Sequence, residues 1–208
     1  MATSKNLNSV REFILFADTN TIWTNEENVG RLDLLPNEFR RLWKEISAPG
    51  DVKLVIPDVV LFELAYQKQR QILRAYRDAK VNLQKIESIL GLGIPPLPET
   101  DWGKIGHAVV TKLRDQIKET PYCQSVAIPY DSIASRIHGI VDASLWRFPP
   151  FKEGNSEAGF RDALILETVR YFHAGLIHSD IALITNDERL IQAARREFVN
   201  VKNFGLFI

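Results

Sequence analysis

Phe13-Ile14-Leu15-Phe16-Ala17-Asp18-Thr19-Asn20 decides the fold. Five apolar residues run directly into a carboxylate. A continuous apolar run of this length reads as a strand buried on both faces, as in a parallel sheet. Asp18 then stands where the strand ends, and in open α/β sheets that edge is where ligands bind. An unpaired buried charge is costly, so Asp18 must either cap the following turn or hold a metal.

Outward from this stretch the chain alternates strand and helix. Residues 21–35 read as a loop. Pro36–Ser47 has helical spacing, with Phe39, Leu42, Trp43 and Ile46 on one face. Val52–Ile56 is a second short strand closed by Pro57, and Asp58 is a suitable N-cap for a helix from Val59 to about Leu90. The segment 91–100, GLGIPPLPET, stops that helix. Further helices are expected from Trp102 to about Glu119 and from Asp131 to Trp146, with a connector at 121–129 that has room for a short strand. After a loop at 148–155, Ser156 is placed to cap a helix to about His173. A strand at Asp180–Thr185, a helix through Glu197 and a last strand at about Val199 to Phe204 complete the chain. The pattern predicts an α/β layered fold with a mainly parallel central sheet, as one domain over residues 1–208 with a helical insertion at 67–146.

Composition excludes several classes. The chain has 208 residues, enough for one well-buried core. Lys plus Arg and Asp plus Glu number 26 each, so global charge gives no argument for nucleic acid, although a local basic patch can still serve. A single cysteine, Cys123, rules out an internal disulfide and suits a reducing compartment. No run reaches the length of a membrane span, and the polar segment 1–11 lacks the apolar core of a signal peptide. The expected location is cytoplasmic, with no membrane partner.

Four carboxylates occupy unusual places. Asp18 ends the first strand, and Asp187 follows the strand at 181–185. Glu63 is the only charge in Val59-Val60-Leu61-Phe62-Glu63-Leu64-Ala65. Asp162 heads a stripe of Ile165, Leu166, Val169 and Phe172 that should face the sheet. Both helical acids are expected near helix N-termini, where the dipole favours the ionised form. Four acids at one sheet edge repel one another unless a cation joins them. Hard oxygen donors suit Mg2+ or Mn2+, and a pair of such ions can activate water for phosphodiester cleavage. The four histidines are scattered and form no zinc pattern.

Each acid also has a structural role open to it. Asp18 can cap a turn with Thr19 and Asn20, Asp187 can be a helix N-cap, Glu63 can pair with a cation of another helix, and Asp162 can pair with Arg161 or Lys152. Taken jointly, the metal site needs one explanation where the structural reading needs four. Asp58 is set aside as a cap, and Glu167 because it lies off the face of Asp162. The basic residues Lys68, Arg70, Arg74, Arg77, Lys80 and Lys85, with Tyr66 and Tyr76, mark either a solvated helix face, a dimer contact or a groove for RNA.

The ordered set of FADTN, PDVVLFEL, GFRDALILETV and ITNDERL resembles a PIN-domain nuclease, in a larger PIN-like subgroup with an expanded middle. The resemblance covers residues 12–66 and 147–205. It implies a three-layer α/β/α sandwich and cleavage of single-stranded RNA with Mg2+ or Mn2+. Asp18, Glu63, Asp162 and Asp187 would be the catalytic and metal-binding acids, with Asn20 and Thr185 supporting them. Many relatives are toxins held by an antitoxin protein, so an antitoxin and a homodimeric copy enter the expected partners, although no motif here speaks for a toxin role. The non-catalytic alternative is a PIN-like scaffold that binds RNA or protein. A haloacid-dehalogenase-type phosphatase would need a second Asp where Asn20 stands. Gly91-Leu92-Gly93 leads into prolines rather than a helix, so it is no phosphate loop.

Overall fold

The computed structural model describes residues 12–22, 43–44, 52–151, 156–175, 179–198 and 204–207. Among these, β1 (Phe13–Ala17), β2 (Val52–Pro57), β3 (Cys123–Val126), β4 (Asp180–Ile184) and β5 (Phe204–Phe207) form one sheet in the order β3-β2-β1-β4-β5. Every pairing is parallel. β1 is central, with Leu15 opposite Leu54 on one side and Ala182 on the other. Its position explains its composition. Ile14 to Ala17 are all buried, which requires cover on both faces of the sheet. The result is the expected three-layer α/β/α arrangement.

The covering helices are α1 (Thr19–Ile22), α2 (Asp58–Leu90), α3 (Trp102–Glu119), α4 (Tyr130–Ala134), α5 (Ile137–Leu145), α6 (Ser156–Gly175) and α7 (Glu188–Glu197). α2 is continuous. Its first third buries Val59, Val60, Leu61, Leu64 and Ala65, whereas nearly every residue from Arg77 to Leu90 is exposed. Gly91, at φ +64°, stops it in the left-handed conformation that glycine adopts without penalty, and its N–H donates to Glu87 O at 2.9 Å. α3 begins under Asp101, whose Oδ1 accepts from the backbone N–H groups of Gly103 and Lys104. α6 lies against β1 through Phe172, which meets Phe16 edge-on at 5.6 Å. Gly159 permits a close approach near its start, since a Cβ there would stand 2.9 Å from Phe151 Cα.

Several boundaries differ from the sequence expectation. Residues 21–22 are helical in α1, not loop, because the chain turns at once to carry Thr19 and Ile22 into the core. The helix expected over 131–146 is two, α4 and α5, divided at Ser135–Arg136. The division sets Arg136 where its guanidinium reaches Glu167 and Glu197. The last strand is Phe204–Phe207, placed by its register against β4. Of the helix expected at 36–47 only residues 43–44, which are helical, are described, and 199–203 lie outside the described residues. The segment 67–146 is mostly helical and also supplies β3 to the sheet. No helix among the described residues is long and apolar enough to cross a membrane.

Candidate acidic site

Parallel pairing of β1 and β4 brings Asp18 and Asp187 to the same sheet edge. The backbone N–H of Asp18 donates to Ile184 O at 3.1 Å, which fastens the end of β1 to the end of β4. The Asp18 carboxylate is buried and doubly held. Thr19 N donates to Oδ1 at 2.6 Å, and Thr185 Oγ1 donates to Oδ2 at 2.8 Å. The Thr185 hydroxyl also accepts from the backbone N–H of Asp187 at 3.0 Å, so one buried side chain sets the spacing of both acids. Asp187 is the N-cap of α7, its Oδ1 accepting from Arg189 N at 2.8 Å and Leu190 N at 3.1 Å.

The other two acids lie on helices that meet each other. Glu63 lies in the second turn of α2. Its Oε2 accepts from Thr19 Oγ1 at 2.7 Å, and its Oε1 stands 3.1 Å from Arg161 Nη1. Asp162 follows Arg161 on α6, on the same face as buried Ile165, Leu166 and Val169.

Burial sets the electrostatics. It pushes the Asp18 carboxyl up to about 6; the charges of Glu63 and Asp187 add to the shift, and the two threonine hydrogen bonds oppose it. Asp162 is pushed up to about 8, first by burial, then by Asp18, Asp187 and Glu63, against the weaker pull of Arg161. Asp162 therefore lies within reach of the charges of all three other acids. The helix dipole does not offset burial at Asp162, which sits in the second turn of α6, where the dipole has faded.

Among the described residues no three acidic, imidazole or thiol groups converge closely enough to hold a metal ion as they stand. The donor chemistry nevertheless fits a hard divalent cation. All four groups offer carboxylate oxygens, and Asp162 carries the charge penalty that a cation would relieve. One countercation is already present in Arg161.

Tertiary contacts also give the other residues singled out in the sequence their partners. Asn20 is exposed in α1; among the described residues Asp18 accepts hydrogen bonds from Thr19 and Thr185, and Glu63 accepts one from Thr19, which is buried. Only its place beside Asp18 hinted at this. Asp58 is not a cap. Pro57 occupies the N-cap position, and Asp58 Oδ2 lies 3.2 Å from Arg114 Nη2. Tyr76 is engaged within the protein, its hydroxyl donating to Pro98 O at 2.8 Å and its ring meeting Trp102 edge-on. Glu167 is buried and belongs to a different cluster, pairing with Arg136 at 3.1 Å and Arg170 at 3.5 Å beside a cavity of about 430 Å³.

Residues 15–190, a span that contains all four acids, match a family model described as a PIN domain. No curated protein and no solved structure matches the chain.

Proposed function

The chain belongs to the PIN-domain family, whose members are generally nucleases that use divalent metals, and from that premise we propose that it is an endoribonuclease cleaving single-stranded RNA with Mg2+ or Mn2+. The observation that supports this most directly is the nearness of the four acids: burial first, and then the charges of Asp18, Asp187 and Glu63, push the Asp162 carboxyl up to about 8. Asp18, Asp162 and Asp187 would hold the metal directly, and Glu63 directly or through water. When bound, the ion polarises the scissile phosphate and lowers the pKa of a water.

The rest is the work of the chain. Thr185 and Thr19 orient the Asp18 carboxylate and leave each oxygen a further lone pair. Asp162, whose carboxyl is pushed up to about 8 by burial and by the neighbouring acids, would have to be ionised to act as an anionic ligand. Arg161 balances part of the charge. The reaction needs no nucleophilic side chain.

The test is cleavage of a labelled single-stranded RNA with Mn2+, with Mg2+ and with EDTA, by the parent, Asp18→Asn and Asp162→Asn. Loss of cleavage in EDTA and in both variants is expected. Cleavage that persists in EDTA, or parent-like activity of Asp162→Asn, would overturn the reading. The engagement of Glu63 by Arg161 favours a second reading, an RNA-binding scaffold that does not cut. RNA binding without cleavage under every metal condition would select it.

A further inference from the structure

We infer that the exposed face of α2 beside Glu63 is a track for a single-stranded nucleic acid, with Phe62 and Tyr66 as stacking platforms for unpaired bases and Arg114 and Arg70 as the cations beside them. This rests on the nuclease reading, because the track begins at the residue preceding Glu63.

Phe62 and Tyr66 are four residues apart, on one helix face and about 6 Å apart along the axis. Around them α2 buries its apolar residues, Leu61, Leu64 and Ala65 among them, yet these two rings are left 43% and 53% exposed. Each has a guanidinium over it: Arg114 Cζ is 5.7 Å from the Phe62 centroid, and Arg70 Cζ is 5.8 Å from that of Tyr66. Arg114 is itself held by Asp58 at 3.2 Å.

A single exposed apolar side chain needs no explanation. Two successive rings, each paired with a cation and set beside a cluster of acids, form a pattern with matching chemistry. Bases stack on aromatic faces irrespective of sequence, and guanidinium groups take the phosphates between them. A duplex cannot use the track, since its base faces are already stacked. The track stops short of Tyr76, which Pro98 and Trp102 occupy.

The experiment measures binding of a labelled oligouridine by fluorescence anisotropy in EDTA, with the same RNA annealed to its complement as the control. Phe62→Leu and Tyr66→Leu keep apolar bulk and remove the ring. Each should weaken single-strand binding about 10- to 100-fold, leaving the duplex control and the melting temperature unchanged, while Tyr66→Phe binds like the parent. Arg70→Gln should lower the salt dependence by about one phosphate contact. If the parent cleaves RNA and Phe62→Leu/Tyr66→Leu binds the single strand like the parent, the track is wrong and the nuclease reading stands. If the parent neither binds nor cleaves RNA, the nuclease reading falls and the track with it.

Discussion

The hydroxyl of Thr19 donates to Glu63 Oε2 at 2.7 Å across 44 residues of sequence, while its backbone N–H donates to Asp18 Oδ1. One buried residue thus holds the acid of a strand end and the acid of a helix in a common frame. Thr19→Val keeps the shape and removes the hydroxyl. Partners that orient ligands are worth about 10- to 100-fold in metal affinity, so Mn2+ affinity by calorimetry should fall by about tenfold, and Thr19→Ser should restore it. Unchanged affinity in Thr19→Val would show that Glu63 is placed by α2 alone.

On the nuclease reading proposed above, Arg161 would compete with the metal for Glu63. Its side chain is 29% exposed, against 16% for that of Glu63, so the ion pair is worth about 1 kcal/mol. Arg161→Gln should lower stability in EDTA by about that amount and bind Mn2+ more tightly than the parent. Weaker Mn2+ binding would mean that Arg161 organises the acids rather than competing for them.

Metal-free stability should depend on pH through Asp18 and Asp162. Both carboxyls have raised values in the folded state, so each contributes stability that is fully present below the ordinary carboxylate range and is lost as pH rises through about 6 for Asp18 and about 8 for Asp162. In EDTA the melting temperature should fall across that window. Asp162→Asn should flatten the upper part and melt above the parent at pH about 8, with the difference vanishing near pH about 4. Metal binding at neutral pH should release a proton, seen as a buffer-dependent heat in calorimetry. A heat independent of buffer would show that Asp162 is already ionised.

Glu167 and Asp162 should separate stability from activity on one helix. Glu167 binds Arg136 and Arg170, and both guanidinium groups also reach Glu197, in a ring away from the four acids. Glu167→Ala leaves two guanidinium groups short of an acceptor. It should cost about 2 kcal/mol in denaturant unfolding and leave Mn2+ affinity and the cleavage rate per folded molecule unchanged. A loss of metal affinity would join this ring to the acidic site.

Much of this protein is present in local pattern. FILFA has to be a doubly covered strand, and the apolar runs at 52–56 and 181–184 are its neighbours. With those strands parallel, Asp18 and Asp187 come to one edge because each follows a strand end. Glu63 and Asp162 are legible as lone charges on apolar helix faces. Periodicity carries this information because it reports which face of an element is buried.

Periodicity does not report which groups meet across the fold. Thr19 and Asn20 are equivalent as polar neighbours of Asp18, and only the approach of α2 gives one of them Glu63 as an acceptor. Asp58 has the residue type and position of a cap, but Arg114 of α3 lies within its reach. The division of the helix at Ser135–Arg136 sets Arg136 beside Glu167 and Glu197, acids distant in sequence that local pattern does not bring to it. The raised value of Asp162 is decided in the same way, by burial and by three charges that reach it only when the strands and helices have assembled, since solvation and Coulomb energies depend on distance in space and not on distance along the chain.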